Sequence, residues 1–127
     1  MLDFKGKVAF VSGAGSVGTG WGNGKATAVL LARQGAKVYG TDLRAEAADG
    51  TRRIIEGEGG TAASRACDMT NSKEVEAAVQ DCVARFGRID VLVNNVGGSA
   101  PGDPVNMSEE VWDAQVDHNL KTAFLAC

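Results

Sequence analysis

Short apolar runs alternate along the chain with longer segments of helical spacing. Val8–Ala9–Phe10–Val11 is apolar at consecutive positions, which predicts a first strand over roughly Lys7–Ser12, covered on both faces. Glycines follow at once in Ser12–Gly13–Ala14–Gly15–Ser16. A helix is expected from about Lys25 to Gln34, stopped by Gly35, with Ala28, Leu31 and Ala32 on one face and Val29 beside them. Lys37–Val38–Tyr39–Gly40–Thr41 reads as a second strand and ends in Asp42. A second helix over about Arg44–Glu56 carries the stripe Ala47, Thr51, Ile54 and Ile55, and Gly57–Glu58–Gly59–Gly60 ends it. A short strand follows around Ala62–Ala66.

The third helix has the clearest period: Val75, Ala78, Val79, Cys82, Val83 and Phe86, with Asn71 and Glu74 placed as a capping box and Gly87 as the stop. Ile89–Asp90–Val91–Leu92–Val93 predicts a fourth strand, apolar enough for the middle of a sheet, that runs into Asn94–Asn95–Val96–Gly97–Gly98. A loop through Pro101 and Pro104 leads to Ser108, a cap for a last helix whose stripe is Trp112, Val116, Leu120, Ala123 and Phe124. Strand and helix alternate throughout. That is the pattern of an α/β fold, a parallel sheet with helices on both faces, in one domain over residues 1–127.

Composition narrows the class without naming it. With 127 residues, 44% hydrophobic and 23% charged, the chain suits one soluble globular domain. A net charge of −3 with scattered basic residues argues against nucleic acid as a partner. No apolar run reaches the roughly 18 residues that span a bilayer, and the first residues form no signal peptide, so a cytoplasmic location without membrane contact is expected. Cys67, Cys82 and Cys127 have no CxxC spacing and no companion histidines. They read as apolar fillers rather than a disulfide framework or metal site.

The chemistry sits where the strands end. A strand that turns through glycines into a helix N-terminus brings bare backbone amides and the positive end of the helix dipole together, a device for holding a pyrophosphate. The phosphate-loop NTPase pattern is ruled out, because Thr19 and Ala26 stand where it requires glycine and a hydroxyl residue. Asp42, at the tip of the second strand about 20 residues on, stands where a βαβ dinucleotide site holds the adenosine ribose.

Four elements in register carry a family resemblance: Ser12–Gly13–Ala14–Gly15, Asp42, Cys67–Asp68–Met69–Thr70 and Asn94–Asn95–Val96–Gly97. The whole chain resembles the N-terminal half of a short-chain dehydrogenase/reductase. The resemblance implies a Rossmann-type doubly wound parallel sheet, here truncated after about four strands, with the cofactor across the strand ends at the switch point. It also implies that Gly13, Ser16, Gly22, Asn23 and Gly24 line the pyrophosphate and that Asp68 and Met69 flank the adenine. Asn95, Val96 and Gly97 would support the ribose side. Val96 replaces the family's usual alanine and Ser12 its threonine. Val17–Gly18–Thr19–Gly20–Trp21 looks like a five-residue insertion, which leaves Gly18 and Gly20 as alternative phosphate contacts and Trp21 either as a lid or as an anchor for the loop.

Asp42 favours NAD over NADP, since its carboxylate accepts from ribose hydroxyls and repels a 2′-phosphate. Arg44 lies close enough to serve a phosphate instead. The family's reaction needs a serine, tyrosine, lysine and asparagine to move a proton while hydride transfer creates or consumes alkoxide charge. The resemblance gives the asparagine as Asn119, in Asp117–His118–Asn119–Leu120–Lys121. Tyr39, the single tyrosine, has Leu43 rather than a lysine four positions on, and the lone His118 reads as a surface residue.

Two functions therefore stand. One is the cofactor-binding half of an NAD-dependent oxidoreductase acting on a small alcohol or carbonyl, with the serine, tyrosine and lysine expected beyond Cys127 and inactive without them. The other is a catalytically empty dinucleotide-binding module that acts by association. The apolar edge Val91–Leu92–Val93, with no lysine or proline to blunt it, favours the first. The resemblance further implies a homo-oligomer, a dimer or tetramer, with the last helix in the interface.

Overall fold

Every position of β1 (Val8–Ser12) is buried in the computed structural model, which describes residues 2–127. The strand is buried because it lies inside a four-stranded parallel sheet, flanked by β2 (Lys37–Asp42) on one side and β4 (Val91–Asn94) on the other. With β3 (Ala62–Ala66) outside β2, the order is β3-β2-β1-β4. Phe10 pairs with Tyr39 and with Leu92, and Ser12 pairs with Thr41 and with Asn94, so all strand ends fall at one level. This is the doubly wound parallel sheet that the alternation predicts.

Side-chain alternation divides the core into two layers. Val8, Phe10 and Tyr39 face α3 (Ser72–Phe86), which supplies Val75, Ala78 and Cys82, and the Phe10 and Tyr39 rings stack at 5.4 Å. On the other face Ala9, Val11 and Val38 meet Ala28 and Val29 of α1 (Asn23–Arg33) and Ile55 of α2 (Ala45–Gly57). The α1 helix starts two residues before Lys25. In α2 the buried positions are Ala48, Thr51 and Ile55, one step round from the predicted stripe at its start.

Two expectations are corrected. Asn71 caps α3 by accepting from the amides of Lys73 and Glu74, but the Glu74 carboxylate passes Asn71 and accepts from the Asp68 amide at 2.8 Å, tying the helix to the preceding loop. Cys67 and Cys82 are buried fillers, and burial pushes each thiol up to about 11, whereas Cys127 is exposed. The stripe of the last helix does not face the core. That helix runs as α4 (Glu109–Val116), a π-helical turn (Asp117–Lys121) and α5 (Thr122–Ala126), and Trp112, Val116, Leu120 and Phe124 are exposed. The wide turn breaks the 3.6-residue phase, so Thr122 is the residue that becomes buried, and Leu125 and Ala126 pack against the α3 layer.

Tyr39 illustrates how a polar atom is placed in such a core. Its hydroxyl donates to Asp81 Oδ2 on α3 at 2.5 Å, and burial followed by this bond holds the phenol far above its usual range. The same bond holds the Asp81 carboxyl below its ordinary 3.8. A depressed carboxylate contributes stability that is present above the ordinary value and lost as pH falls through the folded one. Tyr39→Phe is therefore expected to lower the stability at pH 7 by about 1 kcal/mol, reduced from a fully buried charged bond because Asp81 meets water. Urea unfolding should show the gap between the two proteins closing as pH drops below about 3.8.

Candidate functional site

Because the four strands end together, the loops that leave them surround one cleft of about 300 Å³. That volume is at the lower end of the range for small-molecule sites. The β1 loop is shaped first by Gly13, whose φ of +66° suits glycine. The Ala14 amide donates to Thr41 O at 2.8 Å and the Gly15 amide to Asp42 Oδ2 at 3.1 Å, which pins the loop to the end of β2. From below, the buried Thr51 hydroxyl donates to Ala14 O at 2.7 Å. A helical threonine gives no periodicity signal for such a role; only its burial and reach reveal it.

Helix α1 then enters at the closest backbone approach in the site. A Cβ on Gly24 would lie 1.9 Å from Gly13 O and 2.4 Å from Asn95 Nδ2. Asn95 fastens the same point from the β4 side, donating from Nδ2 to Gly13 O at 3.0 Å, while its amide donates to Ser12 Oγ. The first amides of α1 have no acceptors within the helix, and Gly22, Asn23 and Gly24 line the cleft. An anion placed there meets the positive end of the helix dipole.

Residues 17–21 leave this arrangement intact. Ser16 Oγ accepts from the Gly22 amide at 2.7 Å and closes the base of the excursion. Gly18, Gly20 and Trp21 are exposed outside the cleft lining, and the Lys25 ammonium sits 5.1 Å from the Trp21 ring centre. The structure thus places Gly22 and Gly24, and neither Gly18 nor Gly20, at the cleft, and it leaves Trp21 exposed beside Lys25.

All eleven residues that the sequence suggested for cofactor contact border this one cleft: Gly13, Ser16, Gly22, Asn23, Gly24, Asp42, Asp68, Met69, Asn95, Val96 and Gly97. Asp42 is half-buried; its Oδ1 accepts from the Arg44 amide at 3.1 Å, and the Arg44 guanidinium donates to Ser16 O at 2.7 Å. The Asp68 carboxyl is held below the ordinary range, first by the Thr70 hydroxyl at 2.7 Å and then by the Thr70 amide. Met69 is buried and receives the Thr41 hydroxyl.

Asn119 stands apart from the cleft lining. Its Nδ2 donates to Gly98 O and Gln115 O, both at 2.9 Å, and its Oδ1 accepts from the Gly98 amide at 3.0 Å. The carboxamide therefore clasps the β4 loop to the π-helical turn. His118 of that turn and Thr122, the first residue of α5, line the cleft and were not suggested by the sequence, which gave His118 only as a surface residue. Among the described residues no group of three or more His, Cys, Asp or Glu side chains is placed to hold a metal ion.

Comparison with known proteins agrees with this geometry. Residues 7–127 match the family model described as short chain dehydrogenase. D-threitol dehydrogenase of Mycolicibacterium smegmatis is 38% identical over 99% of this chain and 47% of its own length. The 3-oxoacyl-(acyl-carrier-protein) reductase FabG of Thermotoga maritima is 38% identical over 97% of this chain and 48% of its own. Among solved structures, a short-chain dehydrogenase/reductase from Burkholderia xenovorans superposes with a TM-score of 0.93 at 48% identity, covering 98% of this chain and 49% of that one. A metagenomic short-chain oxidoreductase in complex with NADP gives 0.86 at 37% identity, covering 97% of this chain and 54% of that one. The chain belongs to the short-chain dehydrogenase/reductase family. It spans about half the length of the relatives that it matches.

Two glycines should respond in opposite ways to a single methyl group. Gly24→Ala drives Cβ into backbone at Gly13 and is expected to cost about 3 kcal/mol or more. Gly50→Ala, in α2 with nothing within 4 Å of its added Cβ, should stabilise by about 0.5–1 kcal/mol by removing a helical glycine. Urea unfolding midpoints of the two variants check both signs.

Proposed function

We propose that this chain binds NAD in the strand-end cleft and forms the cofactor-binding half of an oxidoreductase acting on a small alcohol or carbonyl compound. The observation that carries the reading is the convergence of three features on one cleft: bare α1 amides, the Asp42 carboxylate and the Asp68–Met69 turn. NAD, when bound, would supply the hydride acceptor or donor. Gly22, Asn23 and Gly24 would receive the pyrophosphate, and Asp42 the ribose hydroxyls. Asp68 and Met69 would border the adenine. Asn95, Val96 and Gly97 would support the adenosine ribose side.

The lean toward NAD rests on Asp42. Its carboxylate faces the cleft and would repel a 2′-phosphate, and the Arg44 guanidinium that would attract one is engaged with Ser16 O. Asn119 is the one member of the family's proton-transfer set that the resemblance finds in these residues. Tyr39, with its hydroxyl committed to Asp81 inside the core, supports no catalytic role. The 127-residue chain alone is therefore read as a binder without turnover, and the complete reaction as one that needs a further serine, tyrosine and lysine. The exposed Trp112, Leu120 and Phe124 side chains support a homo-oligomeric assembly. A cytoplasmic location fits the absence, among the described residues, of a helix long and apolar enough to cross a membrane.

Calorimetric titration of the 127-residue chain tests this directly. NAD is expected to bind at least about tenfold more tightly than NADP, and Asp42→Ala should weaken NAD by about tenfold or more while narrowing the gap to NADP. Equal affinity of the unaltered chain for the two cofactors would refute the assignment of Asp42, and no binding of either would refute the nucleotide reading altogether.

A further inference from the structure

The peptide between Ala14 and Gly15 is gripped at both ends. Its carbonyl, on Ala14, accepts from the Thr51 hydroxyl at 2.7 Å, and its amide, on Gly15, donates to Asp42 Oδ2 at 3.1 Å. A threonine hydroxyl has a single proton to give. Ala47 O, one turn back in α2, is 3.5 Å from Thr51 Oγ1, so the shorter bond to Ala14 claims that proton from the contact a helical threonine ordinarily makes within its own helix. Ala14, Gly15 and Thr51 are all buried, and among the described residues no other group donates to Ala14 O. The fit is close as well: a Cβ on Gly15 would lie 2.4 Å from Ala47 Cβ and 2.7 Å from Asp42 Oδ2.

Carbonyl and amide belong to one rigid plane and move together. Without the hydroxyl, Ala14 O would be a buried acceptor with no donor, a state relieved by turning the oxygen toward water in the cleft. The Gly15 amide turns with it and releases Asp42. Resting on the proposed NAD reading, we infer that Thr51 is a positioning residue for cofactor choice: through the Ala14–Gly15 peptide it holds the Asp42 carboxylate where it accepts from ribose hydroxyls and repels a 2′-phosphate. The Gly15 and Arg44 amides occupy one acceptor site on each Asp42 oxygen, which fixes the carboxylate and leaves its other sites for the hydroxyls. Thr51 itself lies outside the cleft lining and acts only through that peptide.

Calorimetric titration with NAD and NADP compares the unaltered chain with Thr51→Val, which keeps the shape and loses the donor, and with Thr51→Ser, which keeps the donor; urea unfolding follows stability separately. Thr51→Val is expected to weaken NAD by about fivefold and NADP by no more than about twofold, while Thr51→Ser keeps the preference for NAD within about twofold. In an Asp42→Ala background, Thr51→Val should leave the preference where Asp42→Ala put it, because the two changes act on one route. Equal weakening of both cofactors overturns the inference, since a merely structural role loosens the cleft without choosing between them. An unchanged preference in folded Thr51→Val overturns it too, as does a loss in Thr51→Ser as large as that in Thr51→Val, or a further shift in the Asp42→Ala background; each of these spares the NAD reading. Thr51→Ala, which puts no methyl group in place of the hydroxyl, carries the comparison if Thr51→Val does not fold. If the unaltered chain binds neither cofactor, or binds both equally, the inference fails together with the reading it rests on.

Discussion

The close approach of Gly24 to Gly13 governs the geometry of everything around the cleft. A helix can start so near the end of β1 only if its first turn carries no side chain at the crossing, and here the crossing point is a backbone carbonyl. Asn95 then binds that same carbonyl from the neighbouring strand end. The β1 loop, the start of α1 and, from 82 positions along the chain, the β4 loop meet at one oxygen atom. The direction of the α1 dipole, and hence where an anion is drawn, is set by this contact.

The contact in turn depends on the sheet. Parallel pairing puts every strand end on the same side, and the registers of β1 with β2 and β4 bring Ser12, Thr41 and Asn94 to one level. The loops that follow have no room to diverge, because both faces of the sheet are already covered by α1, α2 and α3. Binding groups therefore accumulate at the strand ends, where backbone amides and carbonyls are not consumed by pairing. Cleft and core are two results of one topology.

Much of this was legible in the sequence because it depends on local chemistry. Apolar runs with a period of two or with none, helical stripes, and glycines at turns each report on a few neighbouring residues, and they located three of the strands and the first three helices closely. The cleft residues were legible for a related reason: they follow strands, so finding the strand ends found them. What escaped the sequence depended on three-dimensional phase and reach. Thr51 supports the β1 loop from a helix 37 positions away. The π-helical turn has no signature in the spacing of Trp112, Val116, Leu120 and Phe124, and it moves Thr122 inward while leaving those side chains outside. Glu74 chose the Asp68 amide over the reciprocal cap because the β3 loop passes within its reach.

The hydrogen bond between Ser16 and Gly22 separates two jobs that a glycine loop usually performs together. Residues before and after the bond shape the cradle, while the five residues between them are exposed and carry none of its lining except Val17. Lengthening a flexible loop costs little once its ends are fixed, since the closure entropy grows only with the logarithm of its length. The mouth of the cleft thus has a segment whose length and composition can change without disturbing the first amides of α1. For an engineer it is a place where new contacts can be tried beside the cleft while the bond that closes its base is kept.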